Sequence, residues 1–379
     1  MQAAGGWRTR ILVPLIMGVV LAAGGLAVRS SASVRSELRF GDRIVVKIRP
    51  GHTARGLDVI GSTPGLGIVT VRGSLSAIRS SPDVEYAEPD MLVPPAEFVP
   101  NDAMWADQWS VRKTRTDEAW SVTQGSPSIK IAVLDSGVDA SQPDLTGNVL
   151  PGRNFYDDTS PTADDYGHGT MVAGVIAAHT DNTIGVAGYC SGCSILPVKI
   201  AGADGYASWS AMASGVKWAA DQGARVINIS FAGTTGSRAV HSAIKYAERR
   251  GAIVVASAGN YSSVTPTYPA AYRGVLAVAS SESDDTAASY TDHGSWVRFA
   301  APGCNDSTNV SASSPLFASF CGTSSAAPVV SAIAALAFSS KPNATRRQVV
   351  QAMTSGAVPV GYVSAGRIDA WGTLAALGR

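Results

Sequence analysis

The stretch Gly322-Thr323-Ser324-Ser325-Ala326-Ala327-Pro328 decides how the rest of the chain is interpreted. An apolar run follows at residues 329–336, which predicts the start of a buried helix with Pro328 in its first turn, where the N–H that proline lacks has no partner in the helix. The hydroxyl of Ser324 then lies near the positive end of the helix dipole, which favours developing negative charge. Ser324 is therefore either a nucleophile, if a base removes its proton, or an ordinary helix N-cap.

Composition excludes two broad classes of protein. The chain has 379 residues, of which 45% are hydrophobic and 16% charged, and its formal net charge is +1. Because no basic footprint is visible, the sequence argues against nucleic acid as a partner. The glycine-rich, charge-poor composition is typical of a compact α/β enzyme and not of a disordered chain. The length suggests two or three domains.

The N-terminus has the layout of an export signal. Arg8 and Arg10 precede an uncharged run at residues 11–28, and Ser30 and Ala32 offer the small residues that a signal peptidase needs. We expect residues 1–32 to be a cleaved signal peptide and the protein to be secreted. The alternative is a retained anchor, which would hold the protein at the membrane outside the cytoplasm, because the run is only slightly short for a span.

The four cysteines suit the same compartment. Cys190 and Cys193 form a C-x-x-C pair, and Cys304 and Cys321 follow later in the chain. Because no second C-x-x-C or histidine pair completes a zinc set, two local disulfides are favoured over a metal or redox site. The pairing itself does not follow from the sequence.

Secondary-structure patterns divide the rest of the chain into two parts. Strand patterns at residues 43–48, 67–71 and 84–88 with a helix pattern at 75–80 predict a small α+β unit, and the prolines at 94, 95 and 100 predict an extended linker after it. From residue 101 onward, apolar strands alternate with helices, which predicts a parallel sheet covered on both faces. The predicted strands are 130–134, 194–200, 226–230, 252–257 and 275–279, and the predicted helices are 171–178, 207–222 and 238–250.

An activated serine needs a histidine within reach and a carboxylate that orients this histidine. Among the five histidines, His168 stands between two glycines at the entry to an apolar helix, where the backbone can approach closely. Asp135 ends an apolar strand, and active residues of parallel sheets gather at such strand ends. Each residue alone is equally a cap, turn or surface residue. The combination with Ser324 favours nucleophilic catalysis.

Three segments resemble the three signatures of the subtilisin-like serine proteases, in that family's order of Asp, His and Ser. They are residues 131–138, Gly167-His168-Gly169-Thr170 and Gly322-Thr323-Ser324. The resemblance runs from about residue 101 to the end of the chain. It implies an α/β, subtilisin-like catalytic domain over residues 97–379, with a mostly parallel sheet and helices on both faces. It also implies a serine endopeptidase acting on polypeptides, with Asp135, His168 and Ser324 as the catalytic triad and Asn260 in the oxyanion hole.

The resemblance also implies a substrate site. Two segments match those that pair with an extended substrate in the family, and Tyr261 matches a residue that helps to line the main specificity pocket. Ala232 stands where the family usually has glycine, which leaves the approach of the substrate open there. Because no acidic residue is evident in this pocket, we expect an apolar or aromatic preference. The two segments consist of Gly205, Tyr206, Ala207, Ser230, Phe231 and Ala232.

A structural calcium ion is the cofactor that the resemblance implies. Carboxylate, amide and carbonyl oxygens are the ligands that calcium prefers. The matching positions are Asp102, Asp144, Thr180, Asn182, Ile184 and Val186. A second acidic loop is either another cation site or a solvated loop; its members are Asp157, Asp158, Asp164 and Asp165.

Residues 33–96 resemble the small, ferredoxin-like α+β propeptides of this family, which inhibit the catalytic domain of their own chain. This implies a zymogen that cuts its own linker between residues 91 and 101, whereas a retained accessory domain is the alternative. Two rival classes remain at this level. One is a catalytically inactive family member used for binding, and the other is a redox or metal protein built on Cys190 and Cys193.

Overall fold

The structure is a computed structural model that describes residues 39–91, 98–158 and 161–378. The predicted signal peptide and most of the predicted linker lie outside these residues. The chain divides into two compact units, Met1–Pro94 and Pro95–Arg379.

The first unit contains a four-stranded antiparallel sheet of order β2-β3-β1-β4. Its described elements are β1 (Arg39–Ile48), β2 (Asp58–Thr63), β3 (Ile68–Arg72), α1 (Leu75–Arg79) and β4 (Val84–Met91). The sequence did not predict β2, because nearly all of its residues are exposed and show no alternation of apolar and polar positions. Turns and irregular backbone occupy residues 49–57, where a ferredoxin-like arrangement has its first helix, so the described part of this unit is α+β with one helix.

The second unit is built on an eight-stranded sheet of order β14-β11-β10-β9-β8-β5-β7-β6, in which all paired strands run parallel. A separate antiparallel hairpin is formed by β12 (Cys304–Thr308) and β13 (Phe317–Cys321). The sheet consists of β5 (Lys130–Asp135), β6 (Arg153–Asn154), β7 (Ser194–Lys199), β8 (Val226–Ile229), β9 (Ile253–Ser257), β10 (Leu276–Ser281), β11 (Phe299–Pro302) and β14 (Gly366–Arg367).

Helices cover both faces of this sheet, as the alternating pattern predicted. Ile131 and Val133 of β5 belong to the core that includes α4 and α7, whereas Ala132 and Leu134 belong to the core that includes α5 and α6. The α/β prediction is confirmed. The helices are α2 (Trp109–Lys113), α3 (Thr116–Ala119), α4 (His168–Ala177), α5 (Trp209–Asp221), α6 (Arg238–Arg249), α7 (Thr323–Ser340), α8 (Arg346–Gly356) and α9 (Ala370–Leu377).

Helix α7 is the one helix of the described residues that is long and apolar enough to cross a membrane. Its apolar window is 83% buried inside the protein, so its composition reflects its place at the centre of the core.

Both local disulfides are present, and no cysteine is free. Cys190 pairs with Cys193, and Cys304 at the start of β12 pairs with Cys321 at the end of β13. The second disulfide therefore ties the segment just before Ser324 to the neighbouring strand.

Helix α7 begins earlier than the sequence predicted, because Thr323 is already helical and Pro328 lies in the second turn. A proline at this place lacks the N–H that would donate to the carbonyl of Ser324, four residues earlier. That carbonyl instead accepts a hydrogen bond from Ser230 Oγ at 3.1 Å. A side chain that follows β8 thus replaces the missing backbone donor.

Two buried side chains hold Ser230 in this position. Asn228 Nδ2 donates to Ser230 Oγ at 3.0 Å, and Ser331 Oγ donates to Asn228 Oδ1 at 2.8 Å. Asn228 and Ser331 are fully buried, and Ser230 is 4% exposed. Because each member has a partner, the chain of hydrogen bonds fixes the first turn of α7 to the sheet at little cost in buried polar groups.

We expect Ser230→Ala to lower the free energy of unfolding by about 1–3 kcal/mol, because the buried carbonyl of Ser324 and the amide of Asn228 lose their partner. Pro328→Ala adds a backbone N–H that can donate to the same carbonyl, so it should stabilise the Ser230→Ala variant more than it stabilises the wild type. Denaturant unfolding of the four proteins, each carrying Ser324→Ala against self-digestion, measures this coupling. Strictly additive effects of the two substitutions would contradict the assignment.

Candidate active site

The predicted catalytic residues come from elements that meet at the carboxyl end of the parallel sheet. Asp135 is the last residue of β5, His168 is the first residue of α4, and Ser324 is the second residue of α7. Asn260 follows the end of β9. His168 at the start of α4 contacts Asp135 at the end of β5, and the carbonyl of Ser324 at the start of α7 contacts Ser230 just after β8, so both N-termini lie at the same edge of the sheet.

A hydrogen bond joins the predicted acid to the predicted base. His168 Nδ1 lies 2.8 Å from Asp135 Oδ1, and the side chain of Asp135 is fully buried while that of His168 is 20% exposed. The same carboxylate oxygen accepts the N–H of Ser136 at 2.8 Å. A buried carboxylate at Nδ1 holds the proton on that nitrogen, which leaves Nε2 as the acceptor of the ring.

Two glycines allow α4 to begin at this point. Gly167 adopts φ of +96°, in the left-handed region that favours glycine. A Cβ on Gly169 would lie 2.0 Å from the carbonyl oxygen of Gly137, so any side chain at position 169 would push the helix away from the end of β5. The distance between His168 and Asp135 therefore depends on the Gly-His-Gly pattern.

The environment of His168 raises the pKa of its imidazole. Burial lowers this pKa, but the charge and hydrogen bond of Asp135, together with the charge of Asp164, outweigh it and raise the pKa above its ordinary value of 6.5. Two carboxylates thus favour the protonated ring.

Asp164 is a centre of hydrogen bonds that the sequence did not reveal. It accepts five hydrogen bonds at 2.7–3.2 Å, which come from the hydroxyls of Ser136 and Thr170 and from the N–H groups of Tyr166, Gly167 and Thr170. Its neighbour Asp165 pairs at 2.6 Å with Lys199, whose side chain is only 4% exposed. Two of the four acids in this predicted loop therefore have protein partners beside the active site.

Ser324 lies close to the segments that surround His168. Its Oγ donates to the carbonyl of Ser230 at 3.2 Å and not to His168. The ring of Phe320 meets the imidazole edge-on at 5.3 Å, and the ring of Phe231 lies 6.2 Å away. Because Phe231 follows Ser230 and Phe320 precedes the helix of Ser324, the imidazole lies beside both segments that hold the hydroxyl.

The amide of Asn260 is oriented by α7. Asn260 Oδ1 accepts hydrogen bonds from the N–H and the hydroxyl of Thr323, both at 2.9 Å. This arrangement leaves Nδ2 as a donor next to Gly322, where a Cβ would lie 3.3 Å from it. An amide donor and the N-terminus of α7 are therefore close together, which suits a developing negative charge.

Asp292, which sequence reasoning missed, holds the loop that carries Asn260. Its Oδ1 accepts the N–H groups of Tyr261 at 3.0 Å and Ser263 at 2.8 Å, and its own N–H donates to the carbonyl of Gly259 at 2.9 Å. The side chain is fully buried. No local pattern marks this residue, because the partners of its carboxylate, Tyr261 and Ser263, lie 31 and 29 residues away in the chain.

A model of the peptidase S8 or subtilase family matches residues 126–372. The chain belongs to the subtilase family. It is 38% identical over 277 residues to thermitase of Thermoactinomyces vulgaris, which covers 72% of this chain and 98% of thermitase. It is 37% identical over 309 residues to a thermophilic serine proteinase of Bacillus sp. strain AK1, covering 81% of this chain and 76% of the relative.

A solved structure described as proteases from Pseudoalteromonas arctica superposes on this subtilase with a TM-score of 0.67 at 29% identity. The match covers 74% of this chain and 100% of the solved chain. The predicted family and the predicted class of enzyme, a serine endopeptidase, are both confirmed.

The two predicted substrate segments of this subtilase differ in how far their side chains are exposed to solvent and in the contacts they make. Tyr206 and Tyr261 are 76% and 63% exposed, and the ring of Tyr166 packs against Gly205. Ala207 forms an isolated antiparallel bridge with Ala201. In the other segment the side chain of Ser230 serves the hydrogen bonds of α7, and Phe231 and Ala232 are partly buried.

The carboxylates of the predicted calcium site lie around the loop 180–186. Asp144 Oδ1 accepts from Asn182 Nδ2 at 2.7 Å, and its Oδ2 accepts the N–H of Val186 at 3.0 Å. Burial raises the pKa of Asp144 to about 6, against the hydrogen bonds of Val186 and Asn182, which lower it. Asp102 Oδ2 accepts the N–H of Asp181 at 2.7 Å, whereas Asp102 Oδ1 is buried without a hydrogen-bond partner.

We expect kcat/KM to rise with pH through an apparent pKa above 6.5, because the base must be neutral and the pKa of His168 is raised. Asp164→Asn removes one negative charge at nearly constant shape, so it should shift this acid limb to lower pH. The control Asp158→Asn changes an exposed acid of the same loop and should leave the limb in place. The measurement is the pH profile of kcat/KM on a chromogenic peptide for each protein. If the acid limb does not move in Asp164→Asn, or moves equally in the control, Asp164 does not raise the pKa of His168.

Proposed function

We propose that this protein is a secreted serine endopeptidase, made as a zymogen, that acts through Asp135, His168 and Ser324 with Asn260 in the oxyanion hole. The observation that carries the proposal is the 2.8 Å hydrogen bond between His168 Nδ1 and the fully buried Asp135, at the edge of the sheet where α7 begins with Ser324. An imidazole held with Nε2 free is the base that a serine nucleophile requires.

In the reaction, Ser324 Oγ leaves the carbonyl of Ser230 and attacks the carbonyl carbon of the scissile peptide, while its proton passes to His168 Nε2. The carbonyl's π electrons move to its oxygen. As that oxygen re-forms the C=O bond, the C–N bond breaks and His168 returns the proton to the leaving amine. Water, activated by the same base, then releases the acyl group. Asp135 keeps the ring oriented and stabilises the imidazolium.

Asn260 Nδ2 and the backbone N–H of Ser324 supply the donors for the oxyanion. Thr323 holds the amide by its oxygen, so the donor is oriented before the reaction begins. In subtilisin, loss of one such oxyanion donor lowers kcat by about 10²–10³-fold. Asp292 helps to fix the position of Asn260, because it hydrogen-bonds to the backbone of the residues before and after it, Gly259 and Tyr261.

We propose that an extended polypeptide adds to the segments Gly205-Tyr206-Ala207 and Ser230-Phe231-Ala232 through backbone hydrogen bonds, which suits many sequences. The exposed ring of Tyr261 favours an apolar or aromatic side chain in the adjoining pocket. Asp292 lies nearby but is fully buried, so it presents no charge to a basic side chain. The N-terminal unit serves as the inhibitory propeptide in this proposal.

Asp102 and Asp144 fit a structural calcium ion, because both carboxylates are buried and Asp102 Oδ1 has no hydrogen-bond partner, so a cation there would stabilise their charge. Among the described residues, no group of three His, Cys, Asp or Glu side chains could hold a metal by itself. The proposed set is therefore mixed, with Asn182 and the carbonyls of Thr180, Ile184 and Val186 as further ligands. The ion would neutralise two buried acids and tie the segment of Asp102 to the loop.

We expect a serine-directed sulfonyl fluoride to label the wild type and not Ser324→Ala, because only an activated hydroxyl reacts. Ser324→Ala should also remain uncut, whereas the wild type is cleaved between residues 91 and 101. Ser325→Ala removes the neighbouring buried hydroxyl and should keep both properties. Mass spectrometry gives both results. Labelling or processing of a folded Ser324→Ala would exclude this nucleophile and leave the inactive binding protein as the better hypothesis.

We expect a calcium chelator to lower the melting temperature of the protein. Calcium at about 100 times its dissociation constant should add about 2.7 kcal/mol to the free energy of unfolding. Asp144→Asn should lose most of this calcium-dependent difference. Asp221→Asn removes an acid at the end of α5, outside the proposed ligand set, and should keep this difference. Thermal unfolding with and without chelator measures the effect, and a melting temperature that ignores the chelator argues against the site.

A further inference from the structure

A cavity of about 260 Å³ lies along one side of α8 and is lined by three arginines. Its polar lining consists of Arg298, Arg346, Arg347, Gln351, Thr354 and Ser355. No acidic residue is among the lining residues. The cavity is therefore strongly electropositive for its size.

The cavity is separate from the catalytic edge of the sheet. Arg298 immediately precedes β11, so it stands at the amino end of that strand. Because β11 runs parallel to the strands that connect it to β5, its amino end lies at the edge opposite Asp135. Nothing in the proposed catalytic cycle uses this place.

The arginines are only partly compensated by the protein. Arg346 Nη2 pairs with Glu248 at 2.5 Å and donates to the carbonyl of Gly274 at 2.6 Å. Arg298 Nη2 donates to the neutral hydroxyl of Thr354 at 2.8 Å, and Arg347 has neither an ion pair nor a side-chain hydrogen bond within the described ranges. The Nε atoms of Arg298 and Arg346 are buried and lack hydrogen-bond partners. Two positive charges therefore lack a carboxylate partner among the described residues, one on the half-buried Arg298 and one on the exposed Arg347.

The N-terminus of α8 adds to the positive charge at this cavity. Arg346 and Arg347 are its first two residues, and its first turn contains no acidic residue. A helix N-terminus carries partial positive charge, so arginines are unfavourable there and an anion is favourable. The side chain of Thr345 already accepts the N–H of Gln348, so this one backbone donor is satisfied within the protein.

We propose that this cavity binds a doubly charged tetrahedral oxyanion, either free sulfate or phosphate, or the phosphoryl group of a phosphomonoester. Guanidinium groups match the oxygens of such anions in paired, charge-assisted hydrogen bonds. Arg298 and Arg347 supply the charges that have no carboxylate partner, and Gln351 supplies a neutral donor on the cavity wall. The volume leaves room for part of an ester beside the anion. This site does not depend on the proposed proteolytic function.

The test uses the full chain with Ser324→Ala, so that self-digestion does not interfere. Isothermal titration at constant ionic strength measures the binding of sodium sulfate, whose calcium salt is more soluble than calcium phosphate, and of O-phosphoserine. We expect Arg298→Gln and Arg347→Gln each to weaken binding by on the order of tenfold, the usual cost of one charge-assisted hydrogen bond. Arg238→Gln is the matched control, because Arg238 is the exposed first residue of α6 and lies outside the cavity.

Binding that Arg347→Gln weakens and Arg238→Gln preserves supports the site, and the tighter of the two ligands distinguishes a free anion from a phosphoryl group. Arg347→Gln keeps the test valid even if Arg298→Gln disturbs the contact with Thr354, since no partner is lost at Arg347. The proposal is overturned if neither sulfate nor O-phosphoserine binds. Equal weakening by Arg238→Gln, or affinity unchanged by both cavity substitutions, overturns it too.

Discussion

The candidate active site depends on a carboxylate that is removed from water. Asp135 ends the central strand β5 with no exposed surface, and a buried charge is tolerated only where donors surround it. Ser136 and His168 supply those donors to Oδ1, whereas Oδ2 is buried without a hydrogen-bond partner. The demand for them fixes where α4 must begin, and the contact of Gly169 with Gly137 makes that beginning sterically possible. The same demand holds the imidazole in the tautomer that a base needs.

A missing donor has the same organising effect at α7. Pro328 cannot donate to the carbonyl of Ser324, and Ser230 at the end of β8 takes its place. Because β8 pairs with β5, the position of Ser324 is set by the sheet that also carries Asp135. The same rigid sheet therefore positions both the predicted acid and the predicted nucleophile. A reaction that tolerates little displacement of its catalytic groups requires such a support. The arginine cavity lies at the other edge of this sheet, so binding there and chemistry are spatially separate.

Sequence reasoning predicted the parallel sheet, both helical layers and the catalytic candidates, because periodicity and short motifs are local properties of the chain. It placed the start of α7 too late, since a proline is expected in a first turn and the donor that compensates Pro328 comes from another strand. It assigned Asp164 to an acidic loop without its five hydrogen bonds, and it passed over Asp292 altogether. Both are acids whose importance comes from partners brought to them by the fold.

By itself, the sequence determined which chemical groups are available and which element carries each of them: an acid at a strand end, an imidazole and a hydroxyl at helix starts. Those assignments follow from local rules of chain geometry and hydrophobic pattern. Only the tertiary structure decided which buried donor meets which acceptor, as with Ser331, Asn228 and Ser230. The reason is physical: a buried polar group must be satisfied by whatever the fold places within hydrogen-bonding distance, and that distance is not written in the order of residues.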